Sequence, residues 1–178
     1  MILTTRRLTQ RPWEEGDAEV LYEYARDPRV GPAAGWPPHR NAGESLEIIR
    51  TVFSAPETYA LVETAGGQVV GCAGIKPPRE NMEDREREIG CWVGVPHWGK
   101  GFAPEAVTAL LHRCFGELDC SGVWYAYFQG NEKSRRVMEK CGFLPHHTTE
   151  NVDCPLIGEV RREHLAYLSR ERWEALGR

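Results

Sequence analysis

The residues best suited to chemistry lie in Val95-Pro96-His97-Trp98-Gly99-Lys100-Gly101-Phe102-Ala103-Pro104-Glu105-Ala106. Gly99 and Gly101 stand one residue apart, between a strand-like run from Glu88 to Val95 and a helical pattern that begins at Ala103. Glycines there admit backbone conformations closed to other residues, so successive N–H groups can converge on one point. The helix that follows adds the free N–H groups of its first turn and the positive end of its dipole. Such a turn is an anion site suited to phosphate. Two phosphate loops of known pattern do not fit. A Walker-type loop needs Ser or Thr after Gly-Lys, where Gly101 stands, and a dinucleotide fingerprint needs a third glycine, where Pro104 stands. By itself, strand, Gly-Lys-Gly and helix is equally a tight turn without a ligand.

A second stretch, Gly130-Asn131-Glu132-Lys133-Ser134-Arg135-Arg136-Val137-Met138-Glu139-Lys140-Cys141-Gly142-Phe143, follows about thirty residues downstream. In order and separation the two stretches resemble motifs A and B of the GNAT superfamily of N-acetyltransferases. More narrowly, they are similar to the RimJ/RimL-like branch, which acetylates the N-termini of ribosomal proteins. Leu3-Thr4-Thr5-Arg6-Arg7-Leu8 also looks like that branch's first strand, and the resemblance spans roughly residues 2 to 170.

The resemblance implies a fold: an α/β (α+β) single domain over residues 1–178 with a mixed, mostly antiparallel sheet of six to seven strands. That sheet would splay between its fourth and fifth strands and be flanked by about four helices. It implies acetyl-CoA as co-substrate, no metal, and a primary amine as acceptor, either a protein N-terminus or a small molecule. Trp98, Gly99, Lys100, Gly101, Phe102 and Ala103 would cradle the pyrophosphate. Cys91 to Val95, with Trp92, Val93 and Val95 among them, would lend backbone groups to the pantetheine arm, and Asn131 and Ser134 would reach it from motif B. Ser134 is the candidate general acid for the departing thiolate, or else a helix-packing residue. Many superfamily members place a tyrosine near Met138, and methionine has no proton to give. Glu88 is the candidate base, since an ammonium acceptor must lose its proton before it attacks; an ion pair at the strand is the other reading of that residue. Trp36, held between prolines in Gly35-Trp36-Pro37-Pro38, either lines the acceptor pocket or caps the core. An acyl-CoA-binding regulatory module without turnover is the alternative of a different class.

Composition narrows the partners. A net charge of −4 over 178 residues speaks against a dedicated nucleic-acid binder and suits a cationic amine. No apolar run approaches the ~18 residues of a membrane span, and the start is polar, so a cytoplasmic protein without membrane contact is expected. Dimers are frequent in the superfamily, which makes a homodimer an expectation with no interface identified. The six cysteines lack CxxC spacing and read as free, buried thiols.

Periodicity supplies the elements. Leu3 to Trp13 reads as one strand, Asp17 as the cap of a helix through Val20, Leu21 and Tyr24, and Gly43 to Phe53 as a second helix. A hairpin over Tyr59 to Ile75 turns at Gly66-Gly67. Arg79 to Arg87 reads as a solvated loop, and Glu88 to Val95 as the fourth strand. An amphipathic helix follows through Val107, Leu110, Leu111, Cys114 and Phe115. Val123 to Phe128 reads as a strand buried on both faces. The motif B helix is capped by Asn131 and stops at Gly142, two more strands follow, and the tail from Ser169 reads as a short polar segment.

Overall fold

The strand expected over Leu3 to Trp13 breaks in two. Leu3–Thr4 (β1) and Leu8–Arg11 (β2) pair antiparallel around a turn closed by the Thr5 N–H, which donates to the Leu8 carbonyl at 2.8 Å. The computed structural model describes residues 1–177. After the hairpin come Ala18–Ala25 (α1), Ala42–Thr51 (α2), Thr58–Glu63 (β3), Val69–Lys76 (β4), Glu86–Val93 (β5) and Phe102–His112 (α3). Gly122–Phe128 (β6), Glu132–Cys141 (α4), Leu144–Cys154 (β7), Glu159–Ser169 (β8) and Arg170–Ala175 (α5) complete the order. All eight strands join one sheet, β1-β2-β3-β4-β5-β6-β8-β7, and of the neighbouring pairs only β5 with β6 is parallel. The sheet is mixed and mostly antiparallel as expected, with eight strands in place of six or seven and five helices in place of about four.

Side chains alternate across the sheet and feed two cores. Val70, Ala73, Ile75, Ile89 and Val93 enter the larger one with Phe102, Val107 and Leu111 of α3 and Met138 of α4. On the opposite face Ala60, Val69 and Cys72 pack with Leu21 of α1 and Ile49 of α2, and Trp92 lies against them.

The opening in the sheet falls between β5 and β6, because the split N-terminal strand adds one to the count. The parallel pair runs only from Glu86↔Gly122 to Ile89↔Tyr125. Beyond it β5 stays with β4 as far as Gly71↔Val93, while β6 stays with β8 as far as Phe128↔Glu163. This corrects the reading of β6 as buried on both faces: its first four residues are buried and Ala126–Phe128 only partly so.

Other expectations change for local reasons. Asp17 does not cap α1 with its side chain. Its carboxylate accepts from the Arg11 guanidinium at 2.7 and 2.9 Å and from the Glu14 N–H at 2.9 Å, which ties α1 to β2. Asn41 caps α2 in the usual way, accepting from the Glu44 N–H at 2.9 Å. The stretch Arg79 to Arg87 is not simply solvated, since Glu86 already begins β5 and Arg79 is held by two buried carboxylates. The six cysteines are free, five of them buried and Cys91 partly buried.

The polar tail is a docked helix. Ser169 caps α5 by accepting from the Arg172 N–H, and Trp173 inserts beside Phe115 and His112, with ring centroids 5.5 and 5.0 Å away. Truncating a buried tryptophan removes its contacts and leaves a cavity. Trp173→Ala is expected to cost about 3–5 kcal/mol in urea unfolding. A loss within about 0.5 kcal/mol, the range of a surface substitution, would restore the polar-tail reading.

Candidate active site

The glycine turn has the geometry its sequence suggested. Gly99 and Gly101 adopt φ of 77° and 82°, and a Cβ at Gly99 would meet nothing within 4 Å. Phe102 opens α3, and among the described residues no acceptor lies on the N–H groups of Gly99, Lys100, Gly101, Phe102 or Ala103. Five successive donors are thus without a partner among the described residues, at the positive end of a helix. Val95 lies just past β5, in the one-turn 3-10 helix Val95–His97.

Two anchors hold this turn. His97 is buried, its Nε2 3.1 Å from the Tyr24 hydroxyl, which itself donates to the Val69 carbonyl at 3.0 Å. On the other side the Arg7 guanidinium donates to the Lys100 carbonyl at 2.8 Å and to Glu105 at 2.7 Å. Glu105 also accepts from the Arg7 N–H at 2.8 Å and the Thr5 hydroxyl at 2.6 Å. Burial pushes the Glu105 carboxyl up, but these donors and the charge of Arg7 outweigh it and hold the group below the usual carboxylate range.

The free edge of β5 continues from the turn. The Gly94 N–H donates to the Val70 carbonyl at 2.9 Å, which sets the parity of the strand. Backbone groups of Trp92 face β4, whereas those of Cys91 and Val93 face the opening. Within the expected stretch Cys91 to Val95, the backbone of Cys91 and Val93 is thus turned to the opening and that of Trp92 to β4. The Trp98 indole N–H donates to the Val93 carbonyl at 2.7 Å, and the Lys133 ammonium sits 3.6 Å from that indole's centre. Across the opening, Asn131 accepts from the Ser134 N–H and donates to the Ala33 carbonyl, both at 3.2 Å, so it caps α4 and holds the loop before α2. Ser134 Oγ lies 3.0 Å from the Tyr125 hydroxyl, which is 3.5 Å from Cys91 Sγ. A basic cavity of about 700 Å³ opens beyond the end of β6, lined by Phe128, Asn131, Lys133, Arg136 and Arg161.

Glu88 and Trp36 lie on the opposite face of the sheet. The Glu88 carboxylate is 3% exposed and bonded by Lys76 at 3.0 Å and Arg79 at 2.5 Å. Arg79 also forks onto Glu163 at 2.7 and 3.1 Å. Burial raises Glu88, but Lys76 and Arg79 more than compensate, and it too sits below the usual range. Trp36 packs against Trp92 at 6.1 Å, on the second core, and is not among the residues that line the basic cavity.

Sequence reasoning missed Arg7, Glu105 and Tyr125. Arg7 reads as a solvent-facing strand residue and Tyr125 as one member of an apolar run; the acid in the first turn of α3 was the one visible signal. Among the described residues no group of three or more His, Cys, Asp or Glu is gathered as a metal site, and no helix is long and apolar enough to cross a membrane.

A family model described as an acetyltransferase (GNAT) domain matches residues 7–144. An uncharacterized N-acetyltransferase, p20, of Bacillus licheniformis is 30% identical over 149 residues, 79% of this chain and 81% of that protein. An acetyltransferase (GNAT family) from Bacillus anthracis superposes with a TM-score of 0.84 at 22% identity, over 96% of this chain and 99% of that one. The ribosomal-protein-S5-alanine acetyltransferase from Vibrio fischeri superposes with a TM-score of 0.74 at 17% identity, over 97% and 98% of the two chains. Both structures share the fold.

Glu88 and Glu105 have folded pKa values below their unfolded ones, so their stabilisation is complete above the unfolded value of about 4.3 and is lost as pH falls through the lower folded value. Urea midpoints measured from neutral pH into the acid range should fall in that window. Glu105→Gln should be less stable at neutral pH and show a shallower acid decline. An acid decline as steep as the wild type's would remove Glu105 from this account.

Proposed function

The chain belongs to the GNAT family of acetyltransferases, and from that premise we propose that it moves the acetyl group of acetyl-CoA to a primary amine, a protein N-terminus or a small molecule, by direct attack with both substrates bound. One observation carries this reading: the unpaired amides of Gly99 to Ala103 lie one short 3-10 turn beyond the free edge of β5. A pyrophosphate needs the first and an extended amide-bearing arm the second. Acetyl-CoA brings both, together with the thioester that is cleaved.

In this reading the backbone of Gly99, Lys100, Gly101, Phe102 and Ala103 binds the pyrophosphate, and the exposed Lys100 adds charge. Cys91 and Val93 bind the arm along β5, with Val95 and Trp98 at its outer end and Asn131 and Ser134 across the gap. Ser134 meets the departing sulfur. Glu88 is ionised through the neutral range, but its depressed pKa makes it a weak base and both its oxygens are held. The acceptor's proton therefore leaves by way of water beside it. Alignment of amine and thioester on a preformed edge supplies much of the rate.

Calorimetric titration with acetyl-CoA tests the donor site. The wild type should bind at micromolar concentration and Gly101→Trp, with an indole over the amides, should not, its melting temperature serving as the fold control. Absence of binding by the wild type would end the reading. Glu105→Gln, which loosens the Arg7 brace on Lys100, should weaken acetyl-CoA binding about tenfold, or ~1.4 kcal/mol. Thiol release with peptides bearing free Ala or Ser N-termini, compared with small amines, then selects the acceptor class.

A further inference from the structure

Tyr125 sits at the last step of the β5–β6 pairing, opposite Ile89, and is 2% exposed. Its ring packs against Phe143, and its hydroxyl reaches the point where β5, β6 and α4 converge. There it lies 3.0 Å from Ser134 Oγ and 3.5 Å from Cys91 Sγ. Cys91 is also the residue whose backbone groups face the opening.

A phenol has one proton, and so has a serine hydroxyl. Two arrangements satisfy these distances, and the chemistry of the partners separates them. Burial pushes the Cys91 thiol up, so it stays protonated and has a hydrogen to give. A serine oxygen is a better acceptor than a thiol sulfur, and it is the nearer of the two. The order is therefore Cys91 S–H to Tyr125 Oη, and Tyr125 O–H to Ser134 Oγ. Ser134 Oγ has no other partner among the described residues, so its own proton is free at the end of the chain. The titratable groups facing Tyr125 are Cys91 on β5 and Cys141 on α4, both thiols.

We propose that Tyr125 is a positioning residue for the leaving group: it donates to Ser134 Oγ and thereby turns the Ser134 proton toward the sulfur of the scissile thioester. This rests on the donor site proposed above. When the C–S bond breaks, its electron pair goes to sulfur, and the new C–N bond holds the acetyl group. Ser134 hydrogen-bonds the thiolate while both hydroxyls keep their protons; burial holds the Tyr125 proton firmly. The thiolate takes its proton from solvent, which receives the one lost by the amine. A donor that is itself hydrogen-bonded through its oxygen is the stronger donor.

The test reads the bound product and needs no acceptor. Complexes with CoA and with desulfo-CoA are titrated with base, and the difference in thiolate absorbance reports the acidity of the bound thiol. In the wild type that thiol should be about tenfold more acidic than free CoA, because hydrogen bonds to the charged form favour it. Tyr125→Phe and Ser134→Ala should each abolish most of the gain, while calorimetric affinity for CoA falls by no more than about tenfold, the worth of one neutral hydrogen bond. The double variant should be no worse than Ser134→Ala alone. Wild-type acidity in Tyr125→Phe, or an equal further loss when Tyr125→Phe is added to Ser134→Ala, would overturn the proposal while leaving the donor site standing. Ser134→Ala sits at a partly buried helix position and carries the test if Tyr125→Phe does not fold; wild-type acidity there would overturn it equally. No CoA binding by the wild type is a different result and overturns both.

Discussion

Strand β5 is hydrogen-bonded along both edges only as far as Ile89, and beyond that it keeps one neighbour, β4. A backbone edge inside a folded chain must find partners, because unpaired N–H and C=O groups carry a desolvation cost. Here one of those groups, the Val93 carbonyl, is met by the Trp98 indole. Around this opening the rest is arranged: α3 starts beside it, α4 crosses from the other side, and the Asn131 cap joins α4 to the loop before α2.

A turn with two left-handed glycines is flexible on its own, and the proposed anion site depends on what holds it. Arg7 of the N-terminal hairpin, itself held by Glu105, holds the Lys100 carbonyl, while Tyr24 of α1, anchored on the Val69 carbonyl of β4, holds His97. The backbone donors are thereby fixed by contacts within the protein, and a turn already fixed loses less entropy on binding. The break that splits the first strand supplies Thr5 and Arg7, so the local departure from a straight strand and the bracing of the turn have one origin.

The two faces of the opening differ in character. Toward α3 and α4 lie hydroxyls and thiols that keep their protons, Cys91, Tyr125 and Ser134. On the other face the buried carboxylates Glu88 and Glu163 share Arg79. Burying two carboxylates is tolerable only with cations in contact, so the loop that carries Arg79 is tied to the sheet by charge.

Local signals were legible directly. Gly99 and Gly101, the Asn131 cap, the Gly142 stop and the hairpin at Gly66-Gly67 depend on residues within a few positions of one another, and each formed as its pattern required. The stripe of α3 holds through Leu111, while Cys114 and Phe115 continue it in a π-helical turn, Arg113–Glu117. Membership of the family rested on two such stretches and their order. The docking of Trp173 and the fates of Trp92 and Arg79 were decided by partners far along the chain, whereas Asp17 was drawn from its capping place by near neighbours, Arg11 and Glu14. Tyr125 shows the reason most clearly. Within Val123 to Phe128 it is one more apolar residue, and only the parting of two parallel strands, joined through a helix, brings its hydroxyl between Cys91 and Ser134. Periodicity reports which face a side chain takes, and tertiary packing decides what waits there.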